Sequence, residues 1–283
     1  RSVNLLIGDN GSGKTSVIRS LTLALNAFFK GFSDENTSCA GIALDDFNHS
    51  VANESKSMTR PAEITFSLFG MQDEVTIYRE SKKTATTYRN ARGFNQRNKE
   101  LYYRIAEEDG EHRRTPLPLL AFFATDDIHS KVGNVNGKAF KDYYLSPSFG
   151  YYFSLKGGFL AKHWINRMLV LKEGGKGEEE LTIVTNALRS ALGEEGCGII
   201  REVNIRPQQG YVYFIFTDGR EMRFENLSDG YLRLVNTVMD LAFRCSIMNR
   251  PLYGLEACTQ TEGVVCIDEI DDHLHPSLQA RVD

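Results

Sequence analysis

The stretch "IGDNGSGKTSV", residues 7–17, decides how the rest of the chain is read. Gly8-Asp9-Asn10-Gly11-Ser12-Gly13-Lys14-Thr15 sets glycines where successive backbone N–H groups can turn inward around phosphate oxygens. A helix start behind them adds its partial positive charge. In that pattern Lys14 reaches the β- and γ-phosphates and the Thr15 hydroxyl binds Mg²⁺. The flanks supply the matching context. Val3, Leu5, Leu6 and Ile7 read as a short strand covered on both faces. Val17, Ile18, Leu21, Leu25 and Phe28 follow at helical spacing with Ala24 on the same stripe. Strand, glycine loop and helix together predict an α/β P-loop protein.

Outward from this point, composition narrows the class. The 283 residues are 41% hydrophobic and 25% charged, ordinary for a folded globular chain long enough for one or two domains. No run approaches a membrane span and no signal-peptide pattern opens the chain, so a cytoplasmic location without membrane contact is expected. The five cysteines, Cys39, Cys197, Cys245, Cys258 and Cys266, show no paired spacing and so indicate neither a disulfide framework nor a cysteine zinc site. A net charge of −4 confines any nucleic-acid surface to a local patch. The opening "RSVNLLIG" lacks an initiator Met and the closing "LQARVD" reads as the first turns of a helix, so a fragment is expected.

Residues 31–60 are polar and aperiodic and read as a surface loop or insertion. Ile64, Phe66 and Leu68 alternate with polar residues, and "VTIY" at 75–78 follows a short turn, predicting an antiparallel hairpin. From Arg79 to Arg104, eight Lys or Arg face two Glu. Two readings stay open: a phosphate-binding surface, or the preferred solvated strand face. "LPLLAFFA" at 117–124 reads as a buried strand, and 149–192 as helices broken by the polar loop "EGGKGEEE". "YVYFIF", "TDGR" and "EMRF" predict a second hairpin, because Asp-Gly between strand-like runs is a turn signal. Leu232, Val235, Val238, Met239 and Ala242 share one helix face. No internal repeat or low-complexity tract is present.

Two further motifs carry chemistry. "VVCIDE" is an apolar strand ending in Asp268, placed to hold Mg²⁺ directly or through water, and Glu269, placed to orient or deprotonate the attacking water. In "IDDHLHP", Asp271, His273 and His275 have a zinc-like spacing, but a turn into the next helix with Pro276 at its start fits better. "NLSDGYLRL", 226–234, opens a helix. Ser228 can cap it, and the same turn can offer a hydroxyl, the Gly230 N–H and a helix N-terminus to a phosphate.

Phosphate loop, Leu-Ser-Asp-Gly helix start, then strand-Asp-Glu, in that order, resembles the cassette-type ATPases related to SMC and RecF proteins. More narrowly it resembles the AAA-type ATPases of antiphage systems such as Septu (PtuA) and retron effectors. The stretches that carry this are "NLLIGDNGSGKTSVIRSLTLAL", "NLSDGYLRLVNTVMDLAFR" and "TEGVVCIDEIDDHLHP", with weaker similarity at "LKGGFLAKHWINRM". The resemblance implies an ABC-type ATPase head with a mixed sheet core, an antiparallel β subdomain and a helical signature subdomain. Its parts would be the P-loop and first helix at 1–30, an antiparallel β lobe at 60–125, a helical and signature lobe at 149–248, and a Walker B strand and D-loop at 263–283. The H-loop with its switch histidine would lie beyond the given residues. Loop roles fall on Asn10, Gly11, Ser12, Gly13, Lys14, Thr15 and Ser16, and signature roles on Ser228 and Gly230. Thr15 and Asp268 take the metal, Glu269 the catalytic water and Asp271 the dimer-contacting turn.

The resemblance further implies ATP and Mg²⁺ as cofactors, and a homodimer or higher oligomer closed around ATP. The implied partner is a nuclease, a retron or another effector, with DNA or RNA as a further partner. A RecF-like repair or maintenance ATPase and a nucleotide-switched scaffold with little hydrolysis are the alternatives. The chain departs from the family pattern in having no glutamine placed after "AFFATDD" for a Q-loop and no long heptad arm.

Overall fold

In the computed structural model, described residues run from 3 to 269, except 10, 35, 48, 53–54, 59–60, 69, 71–73, 82, 109–112, 125–145, 158–159 and 175–176. The chain is mixed α/β and divides into two compact units, residues 1–106 and 107–283.

The first unit holds α1 (Lys14–Asn26) and a 3₁₀ turn, Ala27–Phe29. It also holds a two-stranded hairpin of β1 (His49–Ala52) and β2 (Ser55–Met58), and a sheet of β3 (Ala62–Phe66), β4 (Val75–Arg79) and β5 (Thr87–Arg89). Helix α2 (Arg92–Glu107) closes the unit. The expected hairpin forms with Ile64 opposite Ile77 and Thr65 opposite Thr76. Its buried side meets Leu23 from α1, Ala27 from the 3₁₀ turn and Phe94 from α2. Within residues 60–125, antiparallel pairing among the described residues is confined to β3–β5.

Two expectations are corrected here. Residues 3–7 form no strand: Val3 is 95% and Ile7 86% exposed, and their backbone pairs with no described strand. An apolar run becomes a strand only when a neighbour completes its ladder and covers its faces, and composition alone supplies neither. Half of the basic stretch, from Arg92 onward, is helix rather than strand, and α2 buries Phe94, Asn98 and Ile105 and turns its charges outward.

The second unit is built on a parallel pair, β6 (Leu119–Phe123) beside β10 (Gly263–Ile267), with Leu120 opposite Val264 and Phe123 opposite Ile267. An antiparallel sheet, β7 (Ile200–Arg206), β8 (Tyr211–Phe216) and β9 (Glu221–Arg223), packs with α3 (Ala161–Gly174), α4 (Glu178–Leu192) and α5 (Asp229–Tyr253). The β8–β9 turn uses Asp218 and Gly219 as read, with Gly219 at φ 88°. Strand β8 buries Val212, Phe214 and Phe216 while Tyr211, Tyr213 and Ile215 face outward. The core gathers Trp164, Met168, Val184, Leu188, Phe214 and Phe243, with Trp164 stacked on Phe243 at 4.7 Å between ring centroids.

Helix α5 threads this unit and carries a polar row on its buried side: Arg233, Asn236, Asp240 and Arg244, each no more than 3% exposed. The spacing of three, four and four residues puts them on one face. Asp240 accepts from Trp164 Nε1 at 2.6 Å and from Arg244 Nε at 2.6 Å. Arg244 Nη1 donates to the carbonyls of Gly150 at 2.7 Å and Tyr152 at 2.9 Å. A buried pair satisfied this completely is costly to break from one side, about 3–5 kcal/mol.

Candidate functional site

The candidate residues fall in both units, and each set is described by itself. In the first unit, Gly11 at φ 82° and Gly13 at φ 93° are left-handed, a conformation that crowds the Cβ of other residues. A Cβ placed on either would meet nothing within 4 Å, so conformation rather than packing calls for glycine and the space beside the loop is open. Gly8 differs: its Cβ would lie 2.7 Å from Ser12 Oγ. The Ser12 N–H closes the turn on the Asp9 carbonyl at 3.1 Å. Helix α1 then starts at Lys14 with no side-chain cap and no acidic residue in its first turn. Its first backbone N–H groups therefore have no acidic neighbour to offset the helix dipole. Lys14 Nζ donates to the carbonyls of Gly8 at 2.5 Å and Asp9 at 3.0 Å, folding its ammonium back over the loop. Thr15 and Ser16 are exposed.

In the second unit, Ser228 takes the N-cap position of α5 with extended φ −65°, ψ 156°, yet its hydroxyl makes no capping hydrogen bond. Its carbonyl accepts the Leu232 N–H at 2.8 Å. Ser228 is exposed and Gly230 is buried. The capping role open to this serine is therefore taken by its backbone alone.

Asp268 follows β10 directly. It is 8% exposed, and its N–H donates to the Phe123 carbonyl at 2.9 Å, extending the parallel ladder by one rung. Glu269 sits at φ 49°, a left-handed backbone costing a non-glycine residue roughly 1–2 kcal/mol. The Asp268 carbonyl accepts a hydrogen bond from Arg233 Nη2, so the structure joins the helix that Ser228 opens to the strand end that carries the two acids. Two residues earlier, burial pushes the Cys266 thiol up, out of the range of a reactive thiolate.

Asn10 and Asp271 lie outside the described residues, as do His273 and His275 with their zinc-like spacing. Among the described residues no three His, Cys, Asp or Glu side chains converge as a metal site. Oxygen donors of the Thr15 and Asp268 type suit magnesium, and the open loop, its lysine and the helix start suit a triphosphate. Arg233 is the residue that motif reading passed over. In sequence, Arg233, Asn236, Asp240 and Arg244 recur at helical spacing and so read as a solvated stripe; only the packing of α5 buries them.

The model of the family described as "AAA domain, putative AbiEii toxin, Type IV TA system" matches residues 3–282. Among curated proteins, the chain is 40% identical over 68 residues to "Retron Vc95 probable ATPase" of Vibrio cholerae serotype O1 biovar El Tor. That match covers 24% of this chain and 13% of the relative's length. With nearly all of its length matched by the family model, the chain belongs to this AAA-domain family.

Proposed function

We propose that the chain is the ATP-binding and ATP-hydrolysing head of a cassette-type, SMC-like ATPase that closes as a dimer around ATP and regulates a partner effector, such as a nuclease, in antiphage defence. The observation that carries the nucleotide reading is the start of α1, which follows two left-handed glycines without a side-chain cap or an acid in its first turn. Such a start favours an anion. The defence role is supported by the retron and probable-ATPase wording of the relative's name.

In this reading the loop N–H groups from Gly11 to Thr15 and the Lys14 ammonium hold the phosphates, with Ser12 and Ser16 lining the turn and Asn10 at its tip. The Thr15 hydroxyl and the Asp268 carboxylate hold Mg²⁺, which neutralises phosphate charge when bound. Glu269 orients the attacking water and accepts its proton. Ser228 and Gly230 serve the nucleotide of a second copy, and Asp271 contacts that copy. The test uses the full-length protein. Lys14→Ala should weaken ATP binding by about 10- to 100-fold, the worth of a charged hydrogen bond. Glu269→Gln should bind ATP as the wild type does and slow turnover to a measurable residual rate. Equal affinity of wild type and Lys14→Ala in calorimetry would sink the reading.

A second observation favours nucleic acid as a partner. Arg92, Arg97, Lys99 and Arg104 all lie exposed on α2, whereas Arg79 is committed to the carbonyls of Ile42 at 2.6 Å and Thr84 at 2.9 Å, and Arg89 covers the Tyr78 ring at 3.7 Å. Reversing Arg92, Arg97 and Arg104 to Glu should weaken binding of DNA or RNA and flatten its salt dependence. An unchanged salt slope would assign these charges to solvent.

A further inference from the structure

Arg233 stands on the second turn of α5, five residues past Ser228, and is 2% exposed. Its Nη2 donates to the Asp268 carbonyl. The Asp268 N–H is held in turn by the Phe123 carbonyl of β6. The main chain of Asp268 is thus fixed on both sides, once by the sheet and once by the helix.

The consequence falls on the next residue. The Asp268 carbonyl and the Glu269 N–H belong to one planar peptide, so fixing the carbonyl fixes the direction in which the chain enters Glu269. Glu269 then adopts φ 49°, and a non-glycine residue keeps such a backbone where its surroundings over-determine it. Arg233 grips the peptide that leads into that conformation.

Stability alone is a poor explanation for an arginine here. A buried guanidinium carries a desolvation penalty that an apolar side chain would avoid. Arg233 Nη1 is buried with no hydrogen-bond partner among the described residues, and so is Asn236 Oδ1 one turn further along the same face. A buried cation with only part of its donor capacity used is an inefficient staple but a serviceable strut.

The geometry points to Arg233 as a positioning residue that transmits the placement of the Ser228 helix start to the backbone that aims Glu269. The inference rests on the reading of Glu269 as the water-orienting acid. Anything that shifts the start of α5, including a phosphate taken by Ser228 and Gly230, would reach Glu269 through one side chain.

The test has two arms, both in the full-length protein. In the first, Arg233→Gln and Arg233→Lys are compared with wild type for steady-state turnover of Mg-ATP and for nucleotide affinity by calorimetry. A positioning role lowers kcat by about 100-fold, the cost of a misplacement near 1 Å, and leaves affinity unchanged. In a Glu269→Gln background the same substitutions add no further loss, because both act on one step. Wild-type kcat in Arg233→Lys and Arg233→Gln, or losses that multiply with Glu269→Gln, would overturn the proposal. The second arm needs no nucleotide. Amide hydrogen exchange at Asp268 should quicken by about tenfold or more in Arg233→Gln while α3 and α4 keep their protection, and unchanged exchange would also overturn it. Should Arg233→Gln not fold, Arg233→Lys retains the charge and one donor and is read in both arms. If wild type itself does not turn over Mg-ATP, the reading of the site has failed, and the exchange arm still decides whether Arg233 holds the Glu269 backbone.

Discussion

Helices α1 and α4 begin in the same way and are finished differently. Each follows a left-handed glycine, Gly13 at φ 93° and Gly177 at φ 100°, and neither has a side-chain cap. The first turn of α4 contains Glu178, Glu179 and Glu180, whereas that of α1 contains no acid and opens on Lys14. Carboxylates in a first turn offset the positive end of the helix dipole, typically by 0.3–1 kcal/mol each. The protein therefore neutralises one helix start from within and leaves the other for an anion from outside. A glycine before a helix says little about function; the residues after it separate a structural start from a binding one.

The largest effect is expected where α4 is most structural. Glu180 is 1% exposed and accepts from Arg167 at 3.1 Å and from Arg250 at 3.2 Å. Burial already pushes the Arg167 guanidinium down, with Glu180 opposing the shift. Glu180→Ala removes a shared acceptor from two cations and should cost about 3 kcal/mol, or a fall in Tm of about 6–12 °C in a domain of this size. ATP affinity at matched folded fraction should not change. A loss of affinity without a loss of stability would make the α4 start functional and break the comparison.

A smaller effect follows from making α1 resemble α4. Ser16→Glu puts a carboxylate in the first turn of α1. Helix stability should rise by about 0.3–1 kcal/mol while ATP affinity falls by roughly 10- to 100-fold, since like unit charges about 8 Å apart repel by about 2 kcal/mol at an effective dielectric near 20. The opposite signs are the point of this test. Calorimetry with thermal unfolding of the nucleotide-free protein reads both, and ATP affinity unchanged in a stabilised variant would mean that no phosphate uses this helix start.

Much of this was legible from residue order because the physics was local. Alternation in "EITFS" and "VTIY" indicated the β3–β4 hairpin, though not its register, and Asp218-Gly219 indicated the β8–β9 turn, since period and turn chemistry are written within a few residues. Strands β6 and β10 showed as uninterrupted apolar runs, but only β6 is buried: Val264 and Val265 of β10 are 39% and 37% exposed, so the expectation of a second buried strand is corrected. Helix α2 was missed because Phe94 and Ile105 are eleven residues apart with polar Asn98 buried between them, so its apolar stripe is too sparse to outweigh the charges. Strand β7, "IREVNIR", was hidden by its charged residues. Residues 3–7 erred in the other direction, because apolar character records a wish for cover but not its presence. At the site, the loop was plain from its glycines, but Arg233 was not, because a charge on a helix is ordinarily solvated and only tertiary packing buries this one.

The smallest effect on stability is expected at Ser228, where the largest effect on function per atom removed should appear. A serine that caps its helix through Oγ loses about 1 kcal/mol on change to Ala, but this hydroxyl makes no such bond. Ser228→Ala should therefore leave Tm within the scatter of surface changes, about 0.5 kcal/mol, while lowering ATPase turnover if the hydroxyl serves the nucleotide of a second copy. Ser228→Arg extends the test to the dimer. Lys14→Ala and Ser228→Arg should each be nearly inactive alone, since each spoils both composite sites of a two-fold pair. Mixed, they form heterodimers in which one site pairs an intact loop with an intact signature turn and the other carries both lesions. With random exchange about half of the dimers are mixed, so roughly a quarter of wild-type turnover should return if the sites act independently, and less if both must act together. Labelled subunits verify the exchange. A mixture that stays inactive after complete exchange is compatible with strict coupling, so the Ser228→Arg homodimer decides the matter: wild-type turnover by that variant would show that Ser228 only begins a helix, and α5 would join α4 rather than α1 in the comparison.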